Sequence, residues 1–382
     1  MGPPKRLKKQ PVLDKSSGGR LAKLQTEVVQ ADAAIGILSV YDLVHVFSFL
    51  KTRDKVSVAQ VCRKWKQIVY SKCLWKRWDD VYVSCTSSME VAAPSYVERG
   101  INQMTVCDGL RPPRSPDSPQ GNASTSRRRS SRLLSLQFCH FTRIMAPSIS
   151  RLHLYIVCPE GNMMLQKAFN VQMPNLSYLG FSYVNVTKKT IETISKNCPS
   201  VENIALIGSQ IDNDGLSHIA SNLRQLTVLA LAHSRTTSFT DEGVAFLATL
   251  PKLSELVFIG CINITPACIE ILSNAGTPLK VLQLKYSSIA GDLALELVGR
   301  SQLTLTELHV GNNKSATTDA GINALLSHGH RHYEHLEIWG KSDISRDGMI
   351  LLAKRLDNLR CLKICVEDKT EYAKKAAATE SS

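Results

Sequence analysis

A three-point apolar signature recurs ten times in this chain, with a first residue followed by apolar residues three and five positions further on. The first positions are Leu133, Ile149, Leu176, Val201, Leu226, Leu253, Leu279, Leu305, Tyr333 and Leu359. From Leu176 onward they lie 25, 25, 27, 26, 26, 28 and 26 residues apart. So regular a period rules out a globule with one central core, because each unit is a single supersecondary piece that cannot bury its apolar face alone. Stacked copies supply the missing surface. The alternation within each signature marks a short strand with one buried face.

The second half of each period has its own spacing. Counting from Val186, Ile211, Phe239, Ile264, Ile289, Thr317 and Ile344, apolar residues stand five and eight positions on, from Ile191/Ile194 and Leu216/Ile219 to Ala294/Leu297 and Met349/Leu352. A separation of three places such a pair on one helical face. In "TDEGVAFLATLPKL", Thr240 or Asp241 is positioned to cap the first helical amides, and Pro251 stops the chain before the next strand. The expected fold class is α/β, a solenoid over 133–366 with parallel strands on its concave face and helices on its convex face. The period falls within the 20–29 residues of leucine-rich repeats. Cys261 resembles the post-strand cysteine of one repeat subclass, and Ser209, Ser234 and Ser287 stand near the corresponding places.

Ahead of the repeats, Leu38–Trp78 gathers Phe47, Phe49, Trp65, Trp75 and Trp78 into 41 residues. A core that short rarely holds without disulfides, a metal or a partner. Leu43, Val46, Phe47 and Leu50 share one face of a first helix, and Val58, Val61, Cys62 and Trp65 one face of a second. The runs "LSVYDLVHVFSFL", "RDKV", "VCRKW" and "LW" resemble the F-box, with Ser39 where the family has proline and Tyr41 where it has an acid. These two departures remove the usual opening of the first helix.

The resemblance implies an all-α F-box over 35–80 that docks on the Skp adaptor and through it on a cullin scaffold. Leu38, Leu43, Phe47, Leu50, Val61, Cys62, Trp65, Leu74 and Trp75 would form or support that interface; Trp65 also suits filling the space between helices or capping the first repeat. F-box and repeats together resemble the F-box/leucine-rich-repeat family of substrate receptors of SCF-type ubiquitin ligases. That implies a non-catalytic protein of the cytoplasm or nucleus whose concave face binds the protein to be ubiquitinated for proteasomal degradation. A reading of a different class is a non-ligase repeat scaffold or inhibitor, tethered to nuclear partners by basic segments.

Strand alternation identifies the residues expected on the concave face. The middle of the groove, with Ala205, Val228, Ala230 and Val257, is small and apolar. Toward the C-terminal end Lys285, Glu307, His309, His335, Glu337, Trp339 and Lys363 make it charged and aromatic. Trp is enriched among interface anchors, so these seven are the candidate substrate contacts; the alternative is that the tail 367–382 covers Trp339.

The net charge of +13 is concentrated in two places. Residues 1–30 hold seven Lys/Arg against two acids, and 111–132 six Arg against one Asp. Both are rich in Pro, Ser or Gly and too poor in apolar residues to offset ordering entropy, so a disordered tail over 1–34 and a disordered linker over 111–132 are expected, with 81–110 as a connecting segment. They suit nuclear import, weak nucleic-acid contact or simple solubility; nucleic acid is not expected as the main partner. Ser115 and Ser118 precede proline, and Ser130 and Ser131 follow a run of arginines, which makes all four candidate phosphorylation sites. The eleven cysteines form no CxxC pair, which suits reduced thiols. No nucleotide, hydrolase or zinc-protease signature is present, no run is long enough to span a membrane, and neither cofactor nor metal is expected. The histidine run at His328, His330, His332 and His335 straddles a helix end and a strand, a poor basis for a tetrahedral site.

Overall fold

The computed structural model describes residues 38–50, 52–71, 74, 81–84, 89–107, 131–155, 161–184, 186–209, 211–232, 239–286, 291–328 and 332–366. The basic N-terminal tail, Trp75, Ser115, Ser118, Ser130, His330 and the C-terminal tail lie outside them. The chain divides into two compact units, Met1–Arg77 and Trp78–Ser382.

In the first unit, α1 (Val40–Ser48) opens on a capping box. The Ser39 hydroxyl accepts from the Asp42 amide at 3.2 Å, and the Ser39 amide donates to the Asp42 carboxylate at 3.0 Å. Helix-start amides are thereby satisfied without a proline. The same hydroxyl and amide hold the Asp42 carboxyl below its usual range. Both α1 and α2 (Thr52–Val58) pack on α3 (Arg63–Val69). Leu43 and Phe47, one turn apart, are buried, as are Ile68, Val69 and Leu74. Phe47 meets Trp65 edge-on with ring centroids 5.3 Å apart. Lys55 is 1% exposed and donates to the Leu74 carbonyl at 2.9 Å, a bond that offsets part of the cost of burying a cation.

Among the described residues of the second unit, eleven strands form one parallel sheet in chain order. They are β1 (Val81–Ser84), β2 (Gln103–Cys107), β3 (Arg151–Tyr155), β4 (Tyr178–Ser182), β5 (Asn203–Ile207), β6 (Val228–Ala232), β7 (Glu255–Ile259), β8 (Val281–Lys285), β9 (Glu307–Thr318), β10 (His335–Asp343) and β11 (Cys361–Val366). Ten helices join them: α4 (Met89–Arg99), α5 (Ser131–Met145), α6 (Gly161–Ala168), α7 (Lys188–Asn197), α8 (Asn213–Asn222), α9 (Asp241–Leu247), α10 (Ala267–Asn274), α11 (Asp292–Arg300), α12 (Asp319–Ser327) and α13 (Arg346–Arg355). Each helix packs on the next, as expected of a solenoid. Nine of the ten apolar signatures fall on β3 to β11. Leu152, Leu179, Ile204, Leu229, Leu256, Leu282, Leu308 and Leu336 align in one buried row across the sheet.

The remaining signature, at Leu133, Leu136 and Phe138, lies within helix α5. Phe138, Phe141 and Met145 are fully buried from that helix, at separations of three and four that suit a helix better than a strand. The sheet in turn begins at Val81 rather than after residue 133. Ile101, just ahead of β2, and Met104 and Val106 on it carry the same signature without a leucine and are buried. The segment read as a connection therefore supplies repeats, and the basic linker is an insertion between β2 and α5. Two helix assignments also shift. Met349 is exposed, and α11 buries Leu295 and Val298 in place of Leu297.

The caps differ from expectation in an informative way. Thr240 makes no side-chain cap bond. The acid that opens a helix instead reaches into the following repeat: Asp241 accepts from the Thr265 amide at 3.0 Å, Asp292 from Thr318 at 2.7 Å and Asp319 from Ser345 at 2.9 Å. Asn213 plays the same part toward the Thr240 amide at 2.9 Å. Behind the strands, Cys261 donates to the Leu231 carbonyl at 3.5 Å, and Ser209 donates to that of Phe181 at 3.3 Å. Leu231 and Phe181 are equivalent positions two repeats apart, so cysteine and serine serve one purpose. Burial pushes the Cys198 and Cys261 thiols up to about 12.

Asp292→Ala strands the Thr318 amide and hydroxyl, which Asp292 binds at 2.7 Å each. It is expected to lower unfolding free energy by about 1–2 kcal/mol in a denaturant titration, whereas Asp357→Ala, at an exposed turn, changes it by less than about 0.5 kcal/mol. Native-state alkylation with iodoacetamide is expected to label exposed Cys62 while sparing Cys198, Cys261 and Cys268, the last also raised by burial.

Candidate functional site

The constant register turns the open face of the sheet, away from the leucine core, into three rows of side chains. The first runs Glu255, Val281, Glu307, His335, Cys361; the second Val257, Gln283, His309, Glu337, Lys363; the third Ile259, Lys285, Gly311, Trp339. All seven candidate substrate contacts fall in these rows and meet one another.

Glu337 is the centre. Its side chain is 8% exposed and receives Lys285 at 2.9 Å, His309 through Nδ1 at short range, and Lys363 at 3.8 Å. Burial alone raises the carboxyl and is the largest single effect. Hydrogen bonds from Lys285 and His309, the Lys285 charge and the nearby indole N–H of Trp339 together outweigh it, bringing Glu337 down to about 2. The indole N–H acts on the carboxylate without closing a hydrogen bond of normal length. In the first row His335 pairs with Glu307 at 3.2 Å, and His309 Nε2 stands 3.7 Å from the other Glu307 oxygen. Glu255 is raised by burial and then by the negative charge of Glu307, with His309 opposing.

Trp339 is therefore not the bare anchor its composition suggests, because the Lys285 ammonium lies 4.8 Å above its ring centroid. Gly311 makes this possible. It stands between Lys285 and Trp339 in the third row at φ 156°, and a β-carbon there would run into the Trp339 backbone carbonyl. Lys363, 61% exposed, is the cation of this cluster most available to a partner. The tail 367–382, the alternative cover for Trp339, lies outside the described residues.

In the first unit the nine adaptor candidates separate by burial. Leu43, Phe47 and Leu74 are core and can support a docking face but not form it. Leu38, Leu50 and Trp65 are half-buried, Val61 and Cys62 are exposed, and Trp75 lies outside the described residues. Val40, Val46, Phe49 and Val56 are also exposed, Phe49 at 72%. Helical periodicity marks Val46 as sharing a face with Leu43, but not which edge of that face stays uncovered. Lys55 was not legible as a buried residue, since a lysine following Arg53 and Asp54 reads as surface.

Among the described residues no helix is long and apolar enough to cross a membrane, and no group of three or more His, Cys, Asp or Glu is disposed to hold a metal ion. Ser131 opens α5.

Residues 43–79 match the family model F-box-like. A parallel repeat sheet follows that F-box-like segment. Among solved structures the chain is similar to the yeast Rad7 and Elc1 complex, at 14% identity and TM-score 0.46 over 94% of this chain and 96% of that one. It is similar also to the plant peptide hormone receptor RGFR1 in complex with RGF2, at 12% identity and TM-score 0.22 over 60% and 50%. Comparison with curated proteins found no match.

Because the Glu337 carboxyl is held at about 2, below its ordinary 4.5, its stabilisation is full above pH 4.5 and is lost as pH falls through about 2. Glu337→Gln is expected to melt several degrees lower than the parent at pH 7, and the gap should close between pH 4.5 and 2. A constant gap over that range would show that the carboxylate charge does not matter.

Proposed function

We propose that this chain is a non-catalytic substrate receptor of an SCF-type ubiquitin ligase. Its F-box-like unit binds the Skp adaptor, which carries the cullin scaffold, and the open face of its sheet binds the protein to be ubiquitinated. Ubiquitin transfer then follows from holding that protein near the loaded ubiquitin-carrying enzyme, a gain of effective concentration alone. The observation that carries this reading is the exposure of Val40, Val46, Phe49, Val56 and Val61 within a segment that overlaps the F-box-like match. So many large apolar side chains left in water on one small helical unit suit a partner's surface. The Ser39–Asp42 capping box starts α1 without the family's proline, which supports the adaptor reading over a non-ligase scaffold.

Phe49→Asp combined with Val61→Asp is expected to weaken co-purification of the Skp adaptor at least about a hundredfold, since each charge would be buried in an apolar contact. The melting temperature should change little, because both side chains are exposed. Phe47→Ala should instead lose adaptor binding together with the fold of the unit. Full adaptor binding by the folded double variant would overturn the proposal.

A further inference from the structure

The charged residues at the C-terminal end of the open face are occupied with one another. Glu337 takes Lys285, His309 and Lys363, and Glu307 takes His335 with His309 close by. Glu255 on β7 is different. Among the described residues it accepts no hydrogen bond and joins no ion pair. It is half-buried, and in the first row it stands between Val228 of β6 and Val281 of β8. Burial and the negative charge of Glu307 both disfavour its ionised form, with His309 opposing. A carboxylate held in this way costs stability unless a cation reaches it.

The surface beside Glu255 is apolar and recessed. Of the nine open-face positions on β5 to β7, seven are aliphatic, Asn203 and Glu255 being the others. Alanine is depleted in strands, where branched residues pack better, yet Ala205 and Ala230 are paired in the middle row. In the same row the larger His153 stands to one side, and Gln283 and His309 stand to the other. The alanines therefore floor a trough in which another chain's backbone can come close, and Val257 continues it onto the strand that carries Glu255. Val228 and Ala230 are half-buried and so remain within reach.

We propose that Glu255 and the trough beside it form a subsite for a basic side chain of a bound protein segment, whose neighbouring aliphatic residues rest on Val228, Ala230 and Val257. The carboxylate supplies the counter-charge. Arginine suits it best, because a guanidinium offers paired planar donors to two carboxylate oxygens. The aliphatic neighbours withdraw the pair from water as they dock, which strengthens it. The net charge of +13 opposes the approach of a basic segment, so the attraction belongs to the site and not to the molecule as a whole. The assignment rests on the open face being the protein-binding face.

The test measures fluorescence anisotropy of the full chain with four synthetic peptide pools, their central residue fixed as arginine, lysine, glutamine or glutamate and flanked by randomised Ala, Val and Leu. The arginine pool is expected to bind about tenfold tighter than the glutamine pool, with lysine between them and glutamate weakest. Glu255→Gln is expected to abolish the preference, and Ala230→Leu to weaken every pool several-fold by filling the trough. Glu255→Gln is also expected to raise the melting temperature at pH 7, because it removes a penalised charge. That gain should vanish below pH 4.5, where the acid is neutral both folded and unfolded. A lower melting temperature at pH 7 would give the carboxylate a partner within the chain and overturn the subsite. Equal affinity for the arginine and glutamine pools overturns it too, as does a preference that survives Glu255→Gln. If the pools bind equally and Ala230→Leu still weakens them, the basic subsite is wrong while the open face remains the binding face. If no pool binds, the subsite fails together with the open face, whereas the adaptor reading is decided separately on Phe49 and Val61.

Discussion

The peptide groups just ahead of each strand have no partner within their own repeat. Asn102 O receives the amides of Ser150 and Arg151, Ser150 O those of Ser177 and Tyr178, and the pattern continues through Glu202, Thr227, Ser254, Lys280 and Thr306 to Glu334, which receives Arg360 and Cys361. Buried or half-buried backbone left unpaired would cost as much as a lost hydrogen bond, so each repeat is complete only when its neighbour is in register. That requirement fixes the offset between repeats. The fixed offset then aligns the leucine rows on one side of the sheet and the polar rows on the other.

The polar rows inherit this precision. Glu337 serves three bases from three strands because Lys285, His309 and Lys363 are held at successive steps of the same ladder. Gly311 keeps the third row open where Lys285 must reach Trp339. The cluster is thus a product of register before it is a product of composition. At the other end of the sheet the same register brings Arg151 and His153 onto Tyr178. Two polar clusters, different in charge, are separated by the alanines of β5 and β6.

Much of the solenoid was legible because a strand buried on one face must alternate, and β3 to β11 do so with large aliphatic residues. The ends were less so. Met104 and Val106 satisfy the same physics as a pair of leucines, but a pattern searched by leucine passes over them, while Leu133 and Phe138 satisfy the spacing within a helix. The seven C-terminal open-face residues could be placed by alternation alone, yet their pairing could not. Trp339 reads as free until Lys285, two strands away, is seen above it. Tyr178, one repeat ahead of Ala205, and Arg151 and His153, two repeats ahead, follow the same alternation and were open to the same reasoning. In the first unit periodicity places Phe47 with Leu43 and apart from Phe49, and only packing reveals that Val46, at the edge of that face, stays exposed.

A ladder that joins each repeat only to its neighbours also sets how the molecule would answer to force. Tension applied between the ends of the sheet loads one strand pair at a time, so the edge strand peels from the stack before anything behind it moves. Each release frees one period of about 26 residues, on the order of 90 Å of extended chain. Because α9, α11 and α12 each hold the next repeat through a carboxylate clasp, rupture of a strand pair there must also break the clasp on the helical side. Extension of the C-terminal half is then a series of double failures, each one shielding the repeats behind it until it is complete.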